Sequence, residues 1–213
     1  MTVRVLFLDY DGVIADSMGA KAEALADAFA PYTRDRTGVA DGFRRHAGSG
    51  RELIFDRIYE DLIGEPLDEP ARRRILGTFL DRIDAINAAI GLFPGVRNFI
   101  EGQAAKRLVA VVTGVPQEEA KRQLERLGLA PFLASVHGAT RETPKHIHMG
   151  RFLEANAIAP ADALFVGDSH ADMREAALAG IPFVGIGEPA FFAQGAPLAV
   201  APNLPDLAPL IDG

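Results

Sequence analysis

The sequence predicts an α/β protein, a parallel sheet with helices on both faces, carrying a purely helical insertion near its start. Three observations lead there. The runs that stop at Asp9, at Thr113 and at Gly167 are apolar almost throughout rather than alternating, as in strands buried on both faces of a sheet. Segments of helical period separate them, and that alternation builds parallel sheets. Between residues 17 and 90, helical patterns follow one another with no convincing strand.

The first run, from Val3, ends in Asp9 and Asp11 with Gly12 behind them, so a buried strand passes into a tight turn through two carboxylates. An Asp-Gly pair after a strand is also an ordinary turn signal. A calcium loop fails on spacing: counted from Asp9, the sixth and twelfth positions should be Gly and Glu but are Ile14 and Ala20. Ser17 is placed to cap a helix with Met18, Ala22, Leu25, Ala26 and Phe29 on one face, which Pro31 ends. Further helices are expected over 39–46, over 51–63 with Leu53, Ile54, Ile58 and Leu62 in a stripe, and from Pro70 to about 90. That last helix carries Ile75, Leu76, Phe79, Leu80, Ile83, Ile86 and Ile90. Gly48-Ser49-Gly50 breaks the pattern between the second and third helices.

Pro94-Gly95 marks the return to alternating strand and helix. A helix to about 103, a strand over 108–112, a charged amphipathic helix over 117–127, a weaker strand over 133–136 and a helix over 144–156 are expected. A strand over 163–166, a helix over 171–179 and a strand over 182–185 follow. The tail from 188, rich in Pro, Ala and Gly, adds a short strand over 198–200 and a helical turn after Asn203, and is read as packing on the core. The changes of texture place the core at 1–16 and 91–213, the helical domain at 17–90, and hinges near 15–17 and 92–95.

Composition narrows the function classes. With 213 residues, 48% apolar and 24% charged, the chain is an ordinary globular protein able to bury one substantial core and a small accessory domain. It has no cysteine, so disulfides, thiolate zinc sites and thiol nucleophiles are excluded together, and any metal sits on oxygen or imidazole. A net charge of −7 argues against nucleic acid and anionic membrane surfaces as partners. The first apolar run, interrupted by Arg4, is too short and polar for a signal peptide, and no stretch is long enough to span a bilayer. A cytoplasmic protein, monomer or homodimer, is the expectation.

Three buried strands end in groups that phosphoryl chemistry uses: Asp9 with Asp11, Thr113, and Asp168 with Asp172. If the strands are parallel, all three ends lie on one edge of the sheet, where such folds bind ligands. Local readings compete. Ser169-x-x-Asp172 is also a capping box, and Thr113 also simply ends a strand. Thr143-Pro144 reads as cap and first helical residue, which puts Lys145 in a first turn, where a cation opposes the helix dipole by about 0.3–1 kcal/mol. An anion nearby would account for it. Carboxylates gathered at one site raise each other's pKa unless a cation is present, and Mg2+ meets that need with carboxylate, water and phosphate oxygens. Asp9 could then attack phosphorus, with Asp11 protonating the leaving oxygen and later activating water.

The stretches Phe-Leu-Asp9-Tyr-Asp11-Gly12-Val-Ile-Ala-Asp-Ser, Val-Val-Thr113-Gly114, Lys145 and Gly167-Asp168-Ser-x-x-Asp172 resemble, in order and rough spacing, the four motifs of the haloacid dehalogenase-like hydrolase superfamily. The helical insertion resembles the cap of its phosphoglycolate-phosphatase and beta-phosphoglucomutase branch. The resemblance implies a Rossmann-like core and magnesium-dependent phosphotransfer from a small-molecule phosphate ester through an aspartyl phosphate. It further implies that Asp9 is the nucleophile, and that Asp9, the backbone carbonyl of Asp11 and Asp168 hold Mg2+, with Asp172 in support. Thr113, Gly114 and Lys145 would then surround the phosphoryl oxygens. The acid at Asp11, absent from the family's dehalogenases, points to phosphate esters. Two positions depart from the common pattern: Gly114, where many relatives carry Asn, and His146, where many carry Pro.

Specificity is expected from the insertion. Arg51 resembles a position at which mutases of this branch grip a second phosphate, although Ser49-x-x-Glu52 is also a capping box. Lys21 is a second candidate for the cleft. His146 and His148, two apart on a helix, point to opposite sides, cannot chelate together and are read as incidental; His46, His137 and His170 are scattered, His170 lying near the metal end only by adjacency to the last motif. Three functions follow: a phosphatase, a phosphosugar mutase, or a phosphate-binding module without turnover.

Overall fold

The computed structural model describes residues 2–140 and 142–212. Among the described residues, the strands β1 (Val5–Leu8), β2 (Leu108–Thr113), β3 (Ser135–Gly138), β4 (Ala163–Gly167), β5 (Phe183–Ile186) and β6 (Ala199–Ala201) form one sheet in the order β3-β2-β1-β4-β5-β6. Every pairing is parallel. Leu8 stands opposite both Val111 and Val166, so Asp9 leaves the sheet in register with the ends of its two neighbours. The strand order reverses beside β1, and at such a reversal the loops diverge and leave a crevice.

Between β1 and β2 the chain forms α1 (Met18–Phe29), α2 (Arg36–His46), α3 (Arg51–Ile63) and α4 (Glu69–Ala89). This is the helical insertion, with an apolar centre of its own that includes Leu25, Phe29, Val39, Phe55, Ile58, Ile75, Phe79 and Ile83. The Asp35 carboxylate accepts the Gly38 N–H at 2.7 Å and that of Asp68 accepts the Ala71 N–H at 2.8 Å, caps that each contribute about 1 kcal/mol. The Asp35 cap starts α2 at Arg36, three residues before the apolar pattern begins. Leu80 lies off the buried stripe of α4 and is exposed.

The remaining helices are α5 (Val96–Ala104), α6 (Gln117–Arg126), α7 (Lys145–Ala155), α8 (His170–Ala179) and α9 (Ala208–Asp212). Side chains alternate across the sheet. Leu6, Leu8, Val109, Val111, Leu164 and Val166 pack with Phe99 and Ile100 of α5 and Leu124 of α6. Val5, Phe7, Ala110, Val112, Ala163 and Phe165 pack with Met149 and Leu153 of α7 and Ala176 of α8. Burial of each large apolar side chain contributes about 1.5–3 kcal/mol, and two covered faces explain why the central strands read as unbroken apolar runs.

Departures from the expected boundaries are local. β3 begins at Ser135 rather than 133, because a tight helical turn over Ala130–Phe132 uses the preceding residues and this edge strand is only half buried. Thr143 does not cap α7: Pro144 occupies that place without a side-chain bond, and the Thr143 N–H is held by the Thr140 hydroxyl at 3.1 Å. The two segments joining insertion and sheet run side by side, with the Asp16 N–H donating to Gly91 O and the Phe93 N–H to Ile14 O, each at 3.1 Å. Among the described residues no helix is long and apolar enough to cross a membrane.

Candidate active site

Asp9 is the first residue beyond β1, and its N–H donates to Val166 O at 2.9 Å, which fixes it at the carboxyl edge of the sheet. Gly12 then turns the chain at φ +77°, and a Cβ there would overlap the Asp168 carboxylate. At the end of β4, a Cβ on Gly167 would meet the side chain of Asp172. These two glycines let the acids of β1 and β4 approach. Asp9, Asp168 and Asp172 each present an oxygen within 4.8 Å of the others.

Lys145, the first residue of α7, reaches into this cluster. Its Nζ lies 2.8 Å from Asp9 Oδ1 and 2.6 Å from Asp172 Oδ1, fully buried. The Ser169 hydroxyl accepts the Asp172 N–H at 3.1 Å and donates to Asp172 Oδ2 at 2.5 Å. So Ser169 does cap α8, while the Asp172 carboxylate turns to Lys145 and the hydroxyl.

Burial pushes the Asp9 carboxyl up to about 7, against the pull of Lys145 and with the repulsion of Asp172 and Asp11 added. Burial, then Asp9 and Asp172, raise Asp168 well above the usual carboxylate range. For Lys145, burial alone would lower the pKa, but Asp172 and Asp9 together hold it above the ordinary lysine value. Once ionised, three carboxylates against one ammonium leave two negative charges, which one divalent cation balances. An all-oxygen donor set of this kind suits a hard cation such as Mg2+.

Asp11 lies outside that cluster. Its carboxylate is held by Lys21 of α1, at 2.6 and 2.7 Å, and by the Ser17 hydroxyl. Ser17, expected as a helix cap, therefore makes no side-chain cap bond. Thr113, buried at the end of β2, accepts the Val115 N–H at 3.2 Å. Beside it, a Cβ on Gly114 would stand 2.6 Å from Ser49 O of the insertion, and a Cβ on Gly48 would overlap Ser169. The loop at 48–50 thus lies directly over the acid cluster. It overhangs a pocket whose wall includes Asp9, Asp11, Lys21, Arg51, Thr113, Gly114 and Asp168.

Arg51 reaches this wall but is not solvated. It pairs with Glu119 of α6 at 2.9 and 3.1 Å, and Asn87 of α4 donates to the same carboxylate at 2.9 Å. The Ser49-x-x-Glu52 box does not form, because Gly50 occupies the cap position of α3. None of these histidine contacts involves the aspartate cluster: His146 bonds Glu175 at 2.8 Å, His137 and His148 stack at 5.1 Å, and His170 packs on Phe191. Glu119 and Asn87 were not foreseen, since nothing within a charged helix marks which face meets another domain.

A family model described as haloacid dehalogenase-like hydrolase matches residues 3–180. The chain belongs to this family. Among curated relatives of this haloacid dehalogenase-like hydrolase, the phosphoglycolate phosphatase of Escherichia coli strain K12 is 30% identical, across 86% of this chain and 81% of that protein. Phosphoglycolate phosphatase 1 of Pseudomonas aeruginosa is 27% identical, across 98% and 80%. Among solved structures, a predicted phosphoglycolate phosphatase from Haemophilus somnus superposes with a TM-score of 0.83 at 19% identity, covering 99% of this chain and 98% of that one. That likeness concerns the fold. Family and acid cluster together make the protein a phosphatase of the haloacid dehalogenase-like type.

Proposed function

We propose that the protein is a magnesium-dependent phosphatase that hydrolyses a small phosphorylated metabolite, of phosphoglycolate or sugar-phosphate kind, through an aspartyl phosphate. The observation that carries the reading is the acid cluster of Asp9, Asp168 and Asp172 with Lys145 inserted, at the edge of the sheet where ligands bind. Residues 1–16 and 91–213 form the catalytic core and 17–90 a cap, a division supported by the separate apolar centre of the insertion.

Asp9 and Asp168, with the backbone carbonyl of Asp11 and with Asp172 behind, would hold Mg2+, and the bound ion supplies charge neutralisation for the phosphoryl oxygens. Thr113, Gly114 and Lys145 take the remaining oxygens. An Asp9 oxygen attacks phosphorus while the ester oxygen leaves with a proton from Asp11. Asp11 then removes a proton from a water that attacks the same phosphorus, which releases inorganic phosphate and restores Asp9. Lys21 and Ser17 orient Asp11, and the loop at 48–50 keeps bulk water away. The mutase alternative needs a free cation for a second phosphate, and the Arg51–Glu119 pair does not favour it.

The test is release of inorganic phosphate from a panel of phosphate esters by purified protein with Mg2+. Turnover that EDTA abolishes and that Asp9→Asn lacks supports the reading. Absence of turnover on every ester, a generic aryl phosphate included, would leave only a phosphate-binding module.

A further inference from the structure

We propose that the ester cleaved here has an uncharged leaving group, and that Glu119 enforces this by occupying Arg51. The inference rests on the phosphatase reading above and narrows its substrate. Asp9, Asp168 and Thr113 make the phosphoryl end of the pocket. The opposite wall is apolar, built from Met18, Phe43, Ile54, Phe55 and Phe79 of the insertion, with Val115 from the core.

Among the described residues, the cations of that wall are Lys21 and Arg51, and each is already engaged. Lys21 holds both oxygens of Asp11. Arg51 holds both oxygens of Glu119, which Asn87 also binds, and its guanidinium lies 5.2 Å from the centre of the Phe79 ring. To receive a substrate carboxylate or a second phosphate, one of these cations would have to leave its partner, stranding a carboxylate that is mostly shielded from water. An uncharged group meets the same wall without breaking either pair.

Isobutyl phosphate and phosphoglycolate share a branched outline and differ in whether an isopropyl group or a carboxylate fills it, so they isolate the charge. For the wild-type protein with Mg2+, kcat/KM for isobutyl phosphate is expected to exceed that for phosphoglycolate and for glucose 1,6-bisphosphate by about tenfold or more. Glu119→Gln, which frees Arg51, is expected to shift the ratio toward phosphoglycolate by about tenfold. Arg51→Met, which removes the cation, should keep the wild-type preference, and thermal melting shows whether each variant is folded. Wild-type preference for phosphoglycolate, or an unchanged ratio in folded Glu119→Gln, would overturn the proposal. Loss of turnover on all esters, a generic aryl phosphate included, would instead remove the phosphatase reading itself.

Discussion

Lys21 grips both carboxylate oxygens of Asp11, at 2.6 and 2.7 Å, although the two residues belong to different parts of the fold. Asp11 lies in the loop that follows β1, while Lys21 is buried on the first helix of the insertion. The pair therefore couples the placement of the proposed acid/base to the placement of the cap. Lys21→Met is expected to lower kcat by about ten- to a hundredfold, within the range that general acid-base catalysis contributes, with a smaller effect on KM. Steady-state kinetics on one ester check this. An unchanged kcat would show that Asp11 needs no such support.

Gly114 sets how closely the cap can approach. A side chain there would stand 2.6 Å from the backbone oxygen of Ser49, and backbone yields less readily than a flexible side chain. Gly114→Ala is expected to hold the cap partly open and to reduce kcat/KM by about tenfold, since a small misplacement of catalytic groups is enough. The expected companion is faster proteolysis of the loop at 48–50.

The strands and the convergence of their acidic ends were legible in the sequence because β1, β2 and β4 are covered on both faces, which leaves little but apolar residues until the chain reaches the edge. β3 begins two residues later than its pattern predicts because an edge strand is half exposed and its pattern fades into the preceding turn. The engagement of Arg51 and Lys21 was not legible. Arg51 meets Glu119 across 68 positions of sequence, and only the tertiary fold brings them together. The box at Ser49 failed for a local reason: Gly48 takes φ +82°, which carries the chain into α3 through Gly50 instead.

Metal-free protein should lose stability as the pH rises. The folded chain keeps the Asp9 proton up to about pH 7, against 3.8 for an ordinary aspartate, so between those values the folded state binds more protons than the unfolded one. The stabilisation is complete below the unfolded value and is lost as the pH rises through the folded one, and Asp168 acts in the same direction. Melting temperature without metal is expected to fall between about pH 4 and pH 7, and Mg2+ to reverse the trend by binding the ionised acids. Asp168→Asn should remove part of the fall and most of the Mg2+ effect.

Lys145 is buried between two acids, so its loss leaves Asp9 and Asp172 facing each other with no cation. Lys145→Met is expected to destabilise metal-free protein by about 3–5 kcal/mol, the usual consequence of breaking a buried pair. At roughly 2–4 °C per kcal/mol for a chain of this size, calorimetry resolves the change easily.

Asp9 as the atom donor to phosphorus is most directly tested by quenching the Mg2+-loaded protein in acid during turnover and locating covalent phosphate by peptide fragmentation. Phosphate on the carboxylate of Asp9 is the predicted result. Phosphate on Asp11 or Asp168, or none on any residue while ester is being consumed, would contradict it.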